Sequence, residues 1–189
     1  MTTANKITIF RVLLIPVMLI LLYIPALKQP ANFLNLSIAQ LLFAIIFVVA
    51  SATDFLDGYI ARKYHQITTF GKFLDPIADK VLVLTAFLFL MTIMPERVPV
   101  WAVMVVIIRE FMVTGIRLLA VEKGTVIAAS KYGKLKTVTT MIALVWLLFN
   151  DFTLTTIIGD VLFYLAIALT VISGLEYLIK NKEVVLESI

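Results

Sequence analysis

Leu34–Thr53 reads LNLSIAQLLFAIIFVVASAT, a run of twenty residues without a charge, and Asp54 closes it. A helix needs about twenty such residues to cross a bilayer core ~30 Å thick, so the run predicts a membrane-crossing helix. Similar runs lie outward on both sides, at about 7–27, 77–94, 98–121, 135–150 and 152–179. Together they predict an all-α integral membrane protein of six transmembrane helices, residues 1–189 forming one domain. The composition agrees: 62% of 189 residues are hydrophobic and only 15% charged, against ~25% charged in a soluble domain. A water-surrounded globule, a disordered tail and a collagen-like chain are excluded. With no cysteine, thiol chemistry, disulfides and Cys-held metals are excluded too. The first apolar run is longer than a signal-peptide core and has no small-x-small cleavage site, so it is expected to be retained.

Basic residues set the expected orientation. Lys28 and Arg97 lie in loops on one side, Arg109 lies near mid-span, and every other Lys and Arg clusters at the opposite end of the spans. Cytoplasmic loops carry the excess of Lys and Arg, so both termini are expected in the cytoplasm. The net charge of +4 understates a strongly basic face, suited to anionic lipid or an anionic substrate.

That face also holds the chemistry. Asp54-Phe-Leu-Asp57-Gly58-Tyr-Ile-Ala61-Arg62 is followed, after eight residues, by Gly71-Lys-Phe-Leu-Asp75-Pro-Ile-Ala-Asp79. Residues three or four apart share a helix face. Asp54 with Asp57, and Asp75 with Asp79, therefore make two carboxylate edges, which a short connection between antiparallel helices brings together. Four carboxylates so close either keep some protons or surround cations. Oxygen-only ligation selects hard cations such as Mg2+, Mn2+ or Ca2+, and two ions ~4 Å apart are suited to clamping a phosphoryl group during in-line displacement. Gly58 and Ala61 keep the helix face low, Gly71 stands where a side chain would crowd Asp75, and Arg62 suits a bidentate phosphate contact. Pro76 is expected in the first turn of the third helix, where proline is tolerated. Ordinary interfacial acids would not need this spacing of glycines and an arginine.

At all eight fixed positions these residues match D-x-x-D-G-x-x-A-R-x(8)-G-x-x-x-D-x-x-x-D, the signature that the CDP-alcohol phosphotransferase family carries, and the chain resembles that family. The resemblance implies a six-helix bundle, usually dimeric, with a cavity open to the cytoplasm of a bacterial cell membrane. It implies transfer of a phosphatidyl-type group from a CDP-linked donor to an alcohol, with release of CMP. By the same resemblance Asp54, Asp57 and Asp75 would hold one cation and Asp54, Asp75 and Asp79 a second, either Mg2+ or Mn2+. Asp79 would take the proton of the attacking hydroxyl, and Asp57, Gly58, Ala61, Arg62 and Gly71 would line the nucleotide and diphosphate site.

The acceptor is read from the fourth run. Arg109 and Arg117 lie eight residues apart, about two helical turns, and so share a face. Glu110 has Arg109, Arg117 or a nearby lysine as candidate partners, and Lys131, Lys134 and Lys136 follow around Gly133. A buried cluster with excess positive charge calls for an anion, so Arg109, Arg117, Lys131, Lys134 and Lys136 are expected to bind a phosphate on the acceptor. Snorkelling would account for Arg117 and Lys123, and topology alone for Lys131 or Lys136. The stretch 109–117, with Glu122-Lys-Gly124, 133–137 and the opening Asn5-Lys-Ile-Thr8-Ile-Phe-Arg11, resembles the bacterial branch of the family that joins CDP-diacylglycerol to sn-glycerol 3-phosphate. Thr2-Thr-Ala4 stands where an Ile-Pro is more usual before the asparagine. Within the family, cardiolipin or phosphatidylinositol-phosphate synthesis are the alternatives. Outside it, a divalent-cation transporter would place its carboxylates at mid-membrane and would not set Arg62 beside them. His65 is expected to be a solvated linker residue, Asp160 and Glu176 are assigned no chemistry, and no nucleic-acid partner is implied.

Overall fold

A computed structural model describes residues 2–63, 68–122, 124–125, 127–128 and 130–186, with backbone alone at 3–4, 54–63, 69–70, 72 and 185. The regular structure among the described residues is helical, without strands: α1 (Thr3–Tyr23), α2 (Ile38–Lys63), α3 (Thr69–Ile93), α4 (Val100–Glu122), α5 (Lys131–Leu148), α6 (Thr156–Lys180) and a short α7 (Lys182–Leu186). Among them Asn5–Tyr23, Phe73–Ile93 and α6 are long and apolar enough to cross a membrane, and Ile38–Thr53 is a shorter apolar stretch. Charged residues interrupt α4 at Arg109, Glu110 and Arg117, and load the first turns of α5 with Lys131, Lys134 and Lys136.

The helix ends depart from the apolar runs, and capping explains why. The first four N–H groups of a helix lack an intrahelical partner, and a Ser or Thr oxygen supplies one. Thr2 Oγ1 accepts from the Asn5 N–H at 3.3 Å, Thr68 Oγ1 from Gly71 at 3.0 Å and Ser130 Oγ from Gly133 at 3.0 Å. Thr155 Oγ1 accepts from Ile157 at 3.4 Å. Ser37 and Gln40 form a reciprocal capping box, 3.2 Å in one direction and 2.9 Å in the other. The second helix therefore opens at Ile38, not Leu34. Before it, Pro25–Lys28 makes a tight 3-10 turn, and Asn32, Leu34 and Asn35 take left-handed backbone angles. The first helix accordingly stops at Tyr23 and not near Leu27. Thr68 starts α3 at Thr69, well before the apolar run, so Pro76 lies inside the helix and not in its first turn. Asp75 is thus carried in the body of α3 and gains nothing from a helix N-terminus.

The chain forms two compact units, Met1–Phe89 with Val145–Leu154, and Leu90–Leu144 with Thr155–Ile189. In the first, α1 packs along α2, and the Phe43 ring of α2 lies 4.2 Å from Phe89 of α3. Ala39, Phe43, Phe47 and Ala50 repeat every three or four residues along α2, as do Ala78, Leu82, Ala86 and Phe89 along α3, and all are buried. Small residues on such faces let apolar helices approach closely, which is how helices pack where lipid removes the hydrophobic drive. The same unit contains a left-handed turn at Asn150–Thr153, with φ between 51° and 57°, and Asn150 Nδ2 donates to the Leu34 carbonyl at 3.0 Å. In the second unit α4 packs on α6, burying Val113, Ile116 and Tyr177 with Met112 and Ile127 around them. Asp160 pairs with Arg97 at 2.6 Å and Glu176 with Lys180 at 2.7 Å, so both acids left without chemistry hold ion pairs.

Candidate active site

Helix α2 runs unbroken from its apolar half through Asp54, Asp57, Gly58, Ala61 and Arg62 to Lys63. Helical spacing places Asp54 and Asp57 on one face. The side chains of these five residues, and His65 entirely, lie outside the described residues. Among the described residues no three His, Asp or Glu side chains gather as a cation-holding group.

Asp75 and Asp79 lie one turn apart on α3, both partly exposed. Their surroundings come from α1, which the sequence reading did not connect to them. Thr8 Oγ1 donates to Asp75 Oδ1 at 2.8 Å. Thr68, while capping α3, donates to Asn5 Oδ1 at 2.8 Å. A Cβ on Gly71 would lie 3.1 Å from Asn5 Oδ1, 3.2 Å from Thr68 Oγ1 and 3.7 Å from Asp75 Oδ2. The glycine thus leaves a recess whose three nearest side-chain atoms are all oxygens. Carboxylates at i and i+4 on α3 supply the hard oxygen donors that Mg2+ or Mn2+ takes, so the described half of the acidic motif fits a hard cation.

The second unit carries the basic cluster. Glu110 Oε1 accepts from Lys136 Nζ at 2.6 Å and from Arg109 Nη1 at 2.8 Å. The side chains are 13% exposed for Arg109 and Glu110 and 7% for Lys136. Two cations thus share one carboxylate oxygen, leaving the trio with surplus positive charge. Arg109 Nε is buried without a hydrogen-bond partner among the described residues. A Cβ on Gly133 would be 3.6 Å from Arg109 Nη2, and one on Gly174 would be 3.0 Å from Arg109 Cγ. Arg117 donates through Nε to the Tyr177 hydroxyl at 3.2 Å, its guanidinium 5.7 Å from the ring centre. Arg109 and Arg117 therefore do lie along one face of α4, against Gly174 and Tyr177 of α6. The structure brings Arg109 and Lys136 together through Glu110 and holds Arg117 separately. Lys131, Lys134 and Arg117 are exposed, which corrects the expectation of a wholly buried cluster. Gly174 and Tyr177 were missed because nothing in an apolar helix marks the residues that face an arginine.

Glycines provide a test in which two effects have opposite sign. In a helix interior, Gly→Ala is worth ~0.5–1 kcal/mol of stabilisation. Gly115 has nothing within 4 Å of its added Cβ, so Gly115→Ala should raise the melting temperature of the detergent-solubilised protein. Gly71→Ala and Gly174→Ala should lower it, because overpacking costs ~1–3 kcal/mol.

The CDP-alcohol phosphatidyltransferase family model matches residues 1–172. Over 184 residues the chain is 41% identical to the CDP-diacylglycerol–glycerol-3-phosphate 3-phosphatidyltransferase of Bacillus subtilis (strain 168), covering 95% of this chain and 94% of the relative. It is 40% identical over 178 residues to the protein of the same name from Rickettsia typhi, covering 92% and 93%. A Shigella flexneri protein of that name is 38% identical over 177 residues, covering 90% of each chain.

Proposed function

We propose a reaction for a chain that belongs to the CDP-alcohol phosphatidyltransferase family: transfer of the phosphatidyl group from CDP-diacylglycerol to sn-glycerol 3-phosphate, giving phosphatidylglycerophosphate and CMP. The observation that carries it is likeness along nearly the whole chain to relatives named for that reaction. The surplus positive charge around Glu110 supports an acceptor that brings its own phosphate over choline, ethanolamine or serine.

In this reading Asp54, Asp57 and Asp75 hold one divalent cation and Asp54, Asp75 and Asp79 another, Mg2+ or Mn2+. Bound there, the cations would offset charge on the diphosphate and on the departing CMP. Asp79 accepts the proton of the acceptor hydroxyl as its oxygen bonds to the phosphorus that carries diacylglycerol. The bond from that phosphorus to the bridging oxygen breaks, and CMP leaves with the electron pair. Arg62, with Asp57, Gly58, Ala61 and Gly71, lines the nucleotide and diphosphate, its guanidinium matching phosphate oxygens bidentately. Arg109 and Lys136, poised on Glu110, take the acceptor phosphate, with Arg117, Lys131 and Lys134 adding positive charge.

The reading extends to placement. All of α1–α6 cross the membrane of a bacterial cell as one domain, with both termini and the acidic motif on the cytoplasmic side, where the basic residues gather. The Arg109–Glu110 contact is what makes α4 tolerable there, since ionisable groups within membranes pair with one another. The family resemblance adds a homodimer.

Purified protein should release CMP only when CDP-diacylglycerol, glycerol 3-phosphate and a divalent cation are all present, and EDTA should abolish release until Mg2+ or Mn2+ is returned. Release that continues without glycerol 3-phosphate overturns the acceptor. Release that depends on phosphatidylglycerol or inositol phosphate instead moves the chain to another branch of the family.

A further inference from the structure

A polar stripe on α1 is unaccounted for by membrane crossing. Asn5, Thr8 and Arg11 recur every three residues, and all three are buried, Thr8 at 1% exposure and Arg11 at 0%. The same face continues as Ile15 and Met18, both apolar and buried. Helix packing alone is served by that apolar continuation, whereas a buried polar side chain needs a partner. The partners identified for Asn5 and Thr8 belong to the cap of α3 and to its second turn, which bears Asp75. Thr8 donates to Asp75 Oδ1, while Asn5 accepts from Thr68, whose oxygen also caps the Gly71 N–H.

A carboxylate on a helix can rotate about its last bond, which exchanges its two oxygens. The Thr8 hydroxyl removes that freedom by engaging Oδ1. Oδ2 is then left on the Gly71 side, 3.7 Å from where a Cβ would stand, in the recess lined by Asn5 and Thr68. Groups that hold a ligating side chain in orientation commonly set metal affinity, a loss costing ~10–100-fold.

We propose that Thr8 is a positioning residue for the divalent-cation site, its hydroxyl fixing the Asp75 carboxylate so that Oδ2 is presented to the ion. This rests on the reading above that Asp75 ligates a cation. Binding of Mn2+ to the full-length, detergent-solubilised protein without substrates tests it, followed by the electron paramagnetic resonance signal of free Mn2+. Thr8→Val, which keeps shape and removes the hydroxyl, should weaken Mn2+ binding about tenfold. Thr8→Ser should restore it to within about twofold. Thr140→Val, the same change at a buried threonine of α5, should leave Mn2+ binding unaltered. If Thr8→Val does not elute as a single species on size exclusion, Thr8→Cys, with its weak S–H donor, replaces it with the same direction expected. Tight Mn2+ binding by whichever of these folds, together with loss of binding in Asp75→Asn, overturns the positioning role and leaves the cation reading standing. Undiminished binding in Asp75→Asn overturns the cation reading itself. Weakening in the Ser variant equal to that in Val also counts against the hydroxyl.

Discussion

Asp79→Asn is expected to lower kcat by about three orders of magnitude, with the protein still eluting as a single species in detergent. Asparagine keeps the size and the helical position of the side chain, one turn beyond Asp75 on α3, so packing is not disturbed. What disappears is the ability to accept a proton, and a positioned general base contributes ~10²–10⁴-fold. The same change also removes a charged ligand, and the two effects are separable. Titration with Mg2+ should recover only a small part of the lost rate, because saturating the site returns the ion and not the base. Full recovery at high Mg2+ would make Asp79 a ligand alone and would move proton transfer to another group.

The second large effect is expected at Arg109. Arg109→Ala should lower kcat/KM for glycerol 3-phosphate by about 10–100-fold, as the loss of a charged hydrogen-bond partner, worth ~1.5–3 kcal/mol, implies. The KM for CDP-diacylglycerol should move little. The reason is charge balance: Glu110 holds both Arg109 and Lys136, so without the arginine the remaining pair cancels and no surplus is left for an incoming phosphate. Truncation also empties the space where the Arg109 stem lies against Gly174. Arg109→Met, which fills much of that space without charge, separates packing from electrostatics. Equal loss of acceptor use in the Ala and Met variants locates the effect in the charge. Unchanged acceptor kinetics in both would remove Arg109 from the acceptor site.

The helical class, the approximate number of helices and the acidic motif were all legible in the amino-acid order, because apolar runs and i, i+3 or i+4 spacings are local properties. Helix starts were less well read. Apolar runs mark where a helix meets lipid, whereas Thr2, Ser37, Thr68, Ser130 and Thr155 mark where its hydrogen bonding begins. These caps were visible as residues, and weighing them would have placed Pro76 inside α3. The partners of Glu110 were legible only as alternatives, since choosing Lys136 over other nearby cations requires knowing which side chain of α5 reaches that carboxylate. Thr8 and Asp75 are 67 positions apart, and no local pattern pairs a threonine in one apolar helix with an aspartate in another.

Pro76 has a mechanical consequence for that pairing. Lacking an N–H, it offers no rung to the carbonyl of Lys72, four positions back, so the backbone ladder of α3 lacks one rung between the turn that begins at Gly71 and the long rod above it. Side-chain struts from α1 compensate: Thr8 braces Asp75 just below the gap, and Asn5 braces Thr68 at the foot of the helix. The acid-bearing end of α3 is thereby tethered sideways to its neighbour as well as upward along its own axis.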